Sequence, residues 1–225
     1  MSLWAIIVAG GSGSRMGSNL PKQFLLLNEL PVLMHTIERF AFALPDCRIV
    51  VALPESHIGL WKSMCSQLDF DLEHEVVKGG ATRFESVKNA LGVCDDTGWA
   101  AVHDGARPLV SEALIAKCMS KAQQCGNAIP VIKSTSSLRI VDEGGSKPLD
   151  RSKVVEVQTP QCFSLATLKK AYDQAPHNNF SDDASVVELA GESLHLVEGE
   201  PTNIKITTQP DLKIAEAILR SSQVR

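Results

Sequence analysis

The chain has 225 residues, 44% of them hydrophobic, and its 22 basic and 26 acidic side chains give a net charge of −4 at pH 7. This length predicts a single domain, residues 1–225, with a full hydrophobic core. The acidic balance argues against a nucleic-acid partner and against an anionic membrane surface, so any anionic ligand must be held by a local site.

The apolar start of the chain is about seven residues long, ends in glycines and has no basic region before it. We therefore expect neither a signal peptide nor a membrane span, and we expect a cytoplasmic protein. The six cysteines form no C-x-x-C pair and show no spacing with histidine that is typical of a metal site. We interpret them as reduced thiols of the core.

Residues 4–8 form an unbroken apolar run, which is typical of a central strand buried on both faces of a sheet. Three glycines follow at once: Gly10, Gly11 and Gly13. Because these positions lack Cβ atoms, backbone N–H groups can close around the oxygens of a polyphosphate. Arg15 and Lys22 add two cations to this stretch. A turn whose glycines served packing alone would not explain these charges. The pattern predicts a strand that leads into a phosphate-binding loop.

Two other nucleotide-binding loops fit this stretch poorly. A P-loop requires Gly-Lys-Ser/Thr after a four-residue gap, but Gly17 is followed by Ser18. A dinucleotide fingerprint fits only from Gly11 to Gly17, with one residue too many, and the first acid of the next strand, Glu55, comes too late. Neither class is favoured.

The glycine loop, Gly-Gly-Ser-Gly-Ser-Arg-Met at 10–16, and Pro-Lys-Gln-Phe at 21–24 resemble the signature of nucleotidyltransferases that join a nucleoside triphosphate to a sugar or polyol phosphate. The short gap before Pro-Lys-Gln is similar to that of the cytidylyltransferases, above all those of 2-C-methyl-D-erythritol 4-phosphate (MEP). The resemblance covers nearly the whole chain, through five separated motifs in the family's order. It implies a Rossmann-like nucleotidyltransferase fold.

Helices and strands alternate after the first loop. Apolar residues at helical spacing predict helices over 31–43 and 55–68, and apolar runs predict strands over 48–53 and 72–77. This alternation is typical of parallel βαβ units. We therefore expect an α/β fold with a mostly parallel sheet flanked by helices.

A second glycine loop, Gly79-Gly80, leads from a strand into a helix whose first turn carries Arg83 and Ser86 on one face. Two such loops in one chain predict that two parts of the same ligand bind here. The resemblance implies that the ligand is CTP. The CTP-binding residues that it implies are Ala9, Gly10, Gly11, Gly13, Gly80, Arg83 and Ser86.

A predicted strand over 100–102 ends in the hexapeptide His-Asp-Gly-Ala-Arg-Pro at 103–108. Carboxylates at the carboxyl ends of parallel strands face the ligand crevice of open α/β sheets, so we expect Asp104 to meet a magnesium ion held by phosphates. Arg107 can face an anionic co-substrate, and His103 is expected to orient the loop. The alternative is a capped turn with a solvated arginine. The match of the whole hexapeptide to the family favours the binding site.

A helix from Ser111 to Cys125 and a strand over 128–132 precede a change of pattern. Strand-like segments at 138–141 and 154–157 have no helical pattern between them, which predicts a protruding β-arm over 134–157. A hairpin with so little to cover it is marginal alone. The resemblance implies that the arm clasps a second subunit in a homodimer, and a flexible surface loop is the alternative.

The rest of the chain matches the family first at Gln-Thr-Pro-Gln, 158–161. The patterns predict helices over 164–174 and 211–219, a helix that Ser181 opens with a hydroxyl cap, and strands over 195–198 and 203–207. The resemblance implies that the start of the helix at Ser181 faces the polyol. It also matches Lys205, in Asn-Ile-Lys-Ile-Thr, to a lysine near the substrate phosphate.

The resemblance implies an enzyme of isoprenoid precursor biosynthesis that transfers CMP from CTP to MEP and releases pyrophosphate. The nucleophile is already an ionised phosphate oxygen, so catalysis depends on the placement of charge. The implied catalytic residues are Arg15, Lys22 and Lys205, with Mg²⁺ near Asp104. The implied polyol-phosphate residues are Asp104, Arg107, Thr135, Arg151, Ser181 and Lys205.

Some positions depart from the methylerythritol branch, which usually has Pro and Ala where this chain has Val8 and Gly10. Because an Ala-Gly-Gly start also occurs in ribitol phosphate cytidylyltransferases, a ribitol 5-phosphate enzyme or another sugar-phosphate nucleotidyltransferase is an alternative, although Arg83 and 158–161 favour MEP. A nucleotide-binding regulator without turnover is a further alternative. Arg15 and Lys22 argue against it, because binding alone could rely on the backbone.

Overall fold

A computed structural model of the protein describes residues 1–11 and 20–223. An eight-stranded sheet forms its centre. In sheet order its strands are β10 (Val155–Val157), β7 (Asn127–Lys133), β11 (Gln161–Ser164), β6 (Trp99–Asp104), β1 (Leu3–Val8), β4 (Arg48–Leu53) and β5 (Glu75–Lys78), and β12 (Leu196–Glu198) also pairs with β7. A short antiparallel pair, β2 (Leu26–Leu27) and β3 (Leu30–Pro31), lies apart from this sheet.

Helices pack on both faces of the sheet. They are α1 (Val32–Ala43), α2 (Glu55–Gln67), α3 (Arg83–Leu91), α4 (Glu112–Cys125), α5 (Leu165–Gln174), α6 (Asp183–Leu189) and α7 (Gln209–Gln223). Alternate residues of β1 face opposite cores, since Ala5 and Ile7 pack with α1, α2 and α4, while Trp4 and Ile6 pack with α3, α5 and α6. In the described part of the chain, no helix has the length and apolar character that a membrane crossing requires.

Most strand pairs in the sheet are parallel. β1 pairs in parallel with β4 and β6, β4 pairs in parallel with β5, and β12 pairs in parallel with β7. The exceptions are β11, which is antiparallel to both β6 and β7, and β10, which is antiparallel to β7. The prediction of an α/β fold with a mostly parallel sheet between helices is confirmed.

The order of the strands reverses beside β1. The chain runs from β1 outward through β4 to β5, and α3 then carries it back to β6 on the other side of β1. Val8, the last residue of β1, pairs with Asp104, the last residue of β6. A crevice outside the carboxyl ends of the strands forms at such a reversal, and ligands bind there in open α/β sheets.

Segment 203–207, which the sequence predicted as a strand, forms no strand in the structure. Its backbone groups make irregular hydrogen bonds: the N–H of Ile206 donates to the carbonyl of Ala106 at 2.8 Å, and the carbonyl of Asn203 accepts from the guanidinium of Arg107 at 2.8 Å. The alternation of apolar and polar residues that suggested a strand has another cause: Ile206 is buried against α7, while Lys205 turns to the opposite side.

Some predicted element ends were also wrong. β5 begins at Glu75 rather than at 72, because Nδ1 of His74 donates to the carbonyl of Leu72 at 2.6 Å and holds a local turn there. The cap of α6 is Asp182 rather than the hydroxyl of Ser181. The Asp182 carboxylate accepts the backbone N–H of Ser185 at 3.2 Å, and its charge is favoured by the helix dipole.

The arm is a hairpin of β8 (Leu138–Asp142) and β9 (Gly145–Leu149), paired antiparallel in a separate two-stranded sheet. The strand predicted over 154–157 forms as β10 (Val155–Val157), but its assignment to the arm was wrong, because β10 returns to the main sheet and pairs with β7. The two residues between Asp142 and Gly145 close the hairpin, which makes β9 the partner of β8. Ile140 and Val141 are exposed on the arm, at 53% and 77% of their surface.

Candidate active site

A cavity of about 430 Å³ opens at the carboxyl ends of β1 and β6 and is bounded by the start of α3. Many of the predicted site residues line it: Ala9, Gly10, Gly11, Lys22, Gly80, Arg83, Ser86, Asp104 and Lys205. Gly13 and Arg15 lie outside the described residues. The two glycine loops therefore meet at one cavity, although they are about 70 residues apart in the chain.

The first glycine loop forms one wall of this cavity, and a buried glutamine holds its backbone. Ala9 donates its N–H to the carbonyl of Ala52 at 3.0 Å. The carbonyl of Ala9 accepts a hydrogen bond from the side-chain amide of Gln23 at 2.7 Å. Sequence analysis assigned no role to Gln23, although the Pro-Lys-Gln-Phe motif was the signal for it. Gln23 fixes the loop at the point where Lys22 enters the cavity.

The second glycine loop is fixed by the first turn of α3. Thr82 caps the helix, since its hydroxyl accepts the N–H of Glu85 at 3.1 Å. The hydroxyl of Ser86 accepts the N–H of Gly80 at 3.1 Å and donates to the carbonyl of Thr82 at 2.9 Å. A methyl group placed on Gly10 would lie 3.4 Å from the same Ser86 oxygen. Ser86 thus lies where the two loops approach each other.

Asp104 lies among three cations. Its Oδ2 is 2.9 Å from Nζ of Lys205 and 3.3 Å from Nε of Arg107, and its Oδ1 is 3.5 Å from Nε of Arg83. Burial alone would raise the pKa of this carboxyl, but the charges of Arg83, Lys205 and Arg107 outweigh burial and hold the pKa well below its usual range. Asp104 is therefore ionised at neutral pH, and the cluster keeps an excess of positive charge.

Arg83 has a stronger anionic partner than Asp104. Its Nη1 and Nη2 donate to the two carboxylate oxygens of Asp183 at 2.9 and 2.6 Å, a bidentate pair. Burial alone would lower the pKa of Arg83, and the charges of Asp183 and Asp104 raise it above its ordinary value. Sequence analysis assigned Arg83 to CTP. The structure places the terminal nitrogens of Arg83 on Asp183.

His103 is a buried neutral histidine beside Asp104. Its Nε2 donates to the carbonyl of Arg107 at 3.1 Å, because a carbonyl oxygen only accepts. Its Nδ1 accepts from the hydroxyl of Thr159 at 3.0 Å, and that hydroxyl accepts the backbone N–H of Asp104 at 3.1 Å. Burial lowers the pKa of His103 to about 4. These bonds orient the loop after β6, as the sequence analysis expected of this residue.

A second cavity, of about 330 Å³, adjoins the first. Arg83, Asp104 and Lys205 line both cavities and form the wall between them. The second cavity also contains two residues that the sequence assigned to the polyol phosphate, Arg107 and Ser181. The predicted polyol-phosphate residues of this region therefore lie together, on the far side of the wall from the glycine loops.

Thr135 and Arg151 lie elsewhere, at the base of the arm. Nη1 of Arg151 donates to the carbonyl of Thr135 at 3.0 Å. Both residues line a third cavity, of about 440 Å³, that shares no lining residue with the other two. Within one chain, the structure brings these two residues to each other but not to Lys22 or Asp104.

The donor groups around Asp104 limit how a metal ion could bind. Within residues 1–11 and 20–223, no three His, Cys, Asp or Glu side chains are grouped where they could hold a metal. Magnesium is commonly held by one or two carboxylates together with substrate phosphates. Asp104 offers one carboxylate at the cavity, already in contact with three cations. The site fits an ion whose main ligands are phosphates.

A mostly parallel sheet with a strand-order reversal, two glycine loops and a cationic cluster at that reversal is typical of an α/β protein that binds a nucleotide. The chain belongs to the 2-C-methyl-D-erythritol 4-phosphate cytidylyltransferase (IspD) family, whose sequence profile matches residues 3–221. The predicted family and the predicted class of enzyme, a cytidylyltransferase, are confirmed.

Individual relatives match over nearly their whole length. The 2-C-methyl-D-erythritol 4-phosphate cytidylyltransferase of Bacteroides thetaiotaomicron is 47% identical over 214 residues, covering 95% of this chain and 98% of the relative. The structure of a 4-diphosphocytidyl-2C-methyl-D-erythritol synthase from Anaerococcus prevotii superposes with a TM-score of 0.82 at 27% identity, covering 97% and 98%. That of the Francisella tularensis cytidylyltransferase gives 0.80 at 32% identity, covering 96% and 99%. The predicted Rossmann-like nucleotidyltransferase fold is confirmed.

Proposed function

We propose that the chain transfers CMP from CTP to 2-C-methyl-D-erythritol 4-phosphate, giving 4-diphosphocytidyl-2-C-methyl-D-erythritol and pyrophosphate for isoprenoid precursor biosynthesis. Membership of the family supports the reaction. The observation that carries it is the pair of cavities with a common wall of Arg83, Asp104 and Lys205. CTP binds against the glycine loops, and the polyol phosphate binds on the other side of the wall. The reacting atoms meet at the wall.

In this reaction a phosphate oxygen of MEP attacks the α-phosphorus of CTP. One P–O bond forms there while the bond from the α-phosphorus to the bridging oxygen breaks, and pyrophosphate leaves with that oxygen. The nucleophile is ionised at neutral pH, so no general base is required. The barrier comes from bringing two polyanions together, and preorganised positive charge lowers it.

The side chains around the wall supply that charge. In the described residues, the two cavities are lined by four basic side chains and two carboxylates: Lys22, Arg83, Arg107, Lys205, Asp104 and Asp182. Lys22 faces the triphosphate from the first loop, and Lys205 is placed between the two substrates. Arg107 and Ser181 hold the polyol phosphate. Arg15, outside the described residues, is proposed as a second cation on the triphosphate.

We propose Mg²⁺ as the cofactor, with Asp104 as its carboxylate ligand and the CTP phosphates as its other ligands. The ion would neutralise phosphate charge and polarise the phosphate oxygens when bound. Asp104 also keeps Lys205 and Arg107 in place through the contacts already described. Its ionised state at neutral pH suits both roles.

We propose that the whole chain is one nucleotidyltransferase domain and that its arm, 134–154 without β10, forms a homodimer. Ile140 and Val141 leave an apolar surface on the arm that a second copy would cover. Thr135 and Arg151 lie at the base of the arm, away from the two main cavities of their own chain. In a two-fold dimer they would complete the polyol subsite of the neighbour. A cytoplasmic location stays a prediction.

The test of the reaction is an end-point assay for pyrophosphate, with CTP and either MEP or ribitol 5-phosphate as the acceptor. We expect product with MEP and at most slow turnover with ribitol 5-phosphate. Faster turnover with ribitol 5-phosphate would replace the proposed acceptor and retain the reaction class. CTP binding without pyrophosphate release from any acceptor would favour a nucleotide-binding regulator.

CTP should be preferred to UTP by about 10- to 100-fold in kcat/KM, because uracil would leave buried hydrogen-bonding groups of the base pocket without partners. The base is expected between the two glycine loops, next to Gly10, Gly80 and Ser86. Competition kinetics with both nucleotides in one reaction measures the ratio directly. Equal turnover of UTP and CTP would contradict the cytidylyl assignment.

Gly80→Ala is expected to raise the KM for CTP about tenfold. A methyl group at this position would overlap Cβ of Glu85, and Glu85 is held because its carboxylate accepts the N–H of Ala81 at 2.7 Å. The loop must therefore move away from the nucleotide, and about 1.4 kcal/mol of lost binding energy corresponds to a tenfold change. Gly59→Ala is the matched control, since nothing lies within 4 Å of its added methyl group. An unchanged KM in Gly80→Ala would show that the loop does not contact CTP.

A further inference from the structure

A carboxylate that faces neither of the two main cavities holds their common wall. Asp183 is 0% exposed and lines neither cavity. Its oxygens accept two N–H groups of Arg83, at 2.9 and 2.6 Å, and the hydroxyl of Tyr172, at 2.6 Å. The reaction as proposed gives this buried acid no direct role.

The position of Asp183 is fixed by its backbone as well as by its side chain. Oε1 of Gln161 accepts the N–H of Asp183 at 3.0 Å and the N–H of Ala184 at 2.8 Å. Gln161 belongs to β11, which pairs with β6 next to Asp104. The start of α6 is thereby attached to the sheet, and Asp183 presents its carboxylate to Arg83 from a rigid support.

The first turn of α3 makes two further contacts with the segment before α6. The ring of Phe84 stacks on those of Tyr172 and Phe180, with centroid distances of 4.5 and 5.7 Å. The carboxylate of Glu85 accepts from the side-chain amide of Asn178 at 2.9 Å. Three consecutive residues of α3, beginning at Arg83, therefore connect the nucleotide loop to the segment that carries Ser181.

The remaining anionic partner of Arg83 in the described structure is Asp104, whose Oδ1 is 3.5 Å from Nε of Arg83. Without a negative charge at 183, Arg83 would be drawn towards Asp104. Asp104 would then move relative to Lys205 and Arg107, which contact it at 2.9 and 3.3 Å. The charge of Asp183 thus balances Arg83 so that Asp104 can keep its place between the substrates.

We propose that Asp183 is a positioning residue of the transfer reaction, which acts through Arg83 to fix the wall between the two cavities and so the distance between the two substrates. The proposal rests on the proposed function, since it assumes one substrate on each side of the wall. It predicts an effect on the transfer step rather than on the binding of either substrate alone.

Asp183→Asn keeps the size of the side chain and removes its charge. We expect kcat to fall about tenfold or more, because small displacements of reacting groups are costly, while the Kd for CTP and the KM for MEP change by less than about threefold. CTP binding is measured by calorimetry without turnover, and the unfolding midpoint is measured in parallel. Asp173→Asn is the matched control, because Asp173 is an exposed acid outside the network.

A purely structural role for Asp183 would lower the unfolding midpoint while the folded enzyme kept its kcat, and that outcome would overturn the proposal. If Asp183→Asn does not fold, Tyr172→Phe decides, since it keeps the stacked ring and removes one hydrogen bond to Asp183. We expect kcat about threefold lower in this variant, and an unchanged kcat would overturn the proposal. Wild-type activity is measured first: an inactive wild type refutes the function, whereas an active wild type with equally active variants refutes only the role of Asp183.

Discussion

Lys22→Ala should lower kcat about 100- to 1,000-fold, the loss typical of one preorganised contact to a charge that develops in the transition state. Lys22 lines the cavity at the glycine loops, and a methyl group on Gly11 would lie 3.7 Å from its Cε. The amine is therefore held beside the loop proposed to bind the triphosphate. Its charge matters most when the α-phosphorus becomes pentacoordinate, so the KM for CTP should change far less than kcat.

Steady-state kinetics with varied CTP and saturating MEP separate these two parameters. Lys62→Ala is the matched control, because Lys62 is an exposed lysine of α2 and does not line the cavity. It should keep both parameters of the wild type. Weaker CTP binding with an unchanged kcat in Lys22→Ala would show that Lys22 only binds the ground state.

Mixing two inactive variants, Lys22→Ala and Arg151→Ala, should restore activity if each site is built from two chains. In a mixed dimer both lesions then fall in one site, and the other site is intact. Activity should return to about half of the wild-type value per mixed dimer by this symmetry argument. The physical basis is the position of Arg151, which contacts Thr135 in a cavity separate from the one that contains Lys22.

The matched control is a mixture of Lys22→Ala with Lys205→Ala. Both lysines line the same cavity of one chain, so every site of that mixed dimer keeps one lesion and no activity should return. Subunit exchange is verified separately, with differently tagged chains. If subunits exchange but the mixture of Lys22→Ala with Arg151→Ala regains no activity, the shared site is refuted. The arm would then be a local feature of its own subunit.

Sequence patterns predicted most of the sheet because its central strands contain apolar runs. β1 and β4 are buried on both faces, and their composition alone indicates this. β9 was missed because Gly145–Leu149 contains Gly, Lys and Pro and has little β propensity of its own. β9 forms because a two-residue turn places it beside β8. Tertiary pairing, rather than composition, decides such segments.

The residues of the site also fall into those that the sequence could locate and those that it could not. Motifs near the ends of predicted strands located Gly80 and Asp104, because strand ends converge at one edge of a parallel sheet. Lys205 was located only by its match to the family. The pairing of Arg83 with Asp183 could not be predicted, since 100 residues separate the two and an acid in a first helical turn already has a local explanation. A buried carboxylate acquires its partner only when the whole chain has folded.

The arm leaves and rejoins the sheet at a single point, because Lys133 and Val155 are paired neighbours in it. A short turn in place of 134–154 would leave every ladder of the eight-stranded sheet unbroken. The length of the arm could therefore change without a change of strand register in the sheet. Thr135 and Arg151 lie in this segment, so under the proposed shared site a graft from a relative would transfer the proposed acceptor contacts together with the proposed dimer contact.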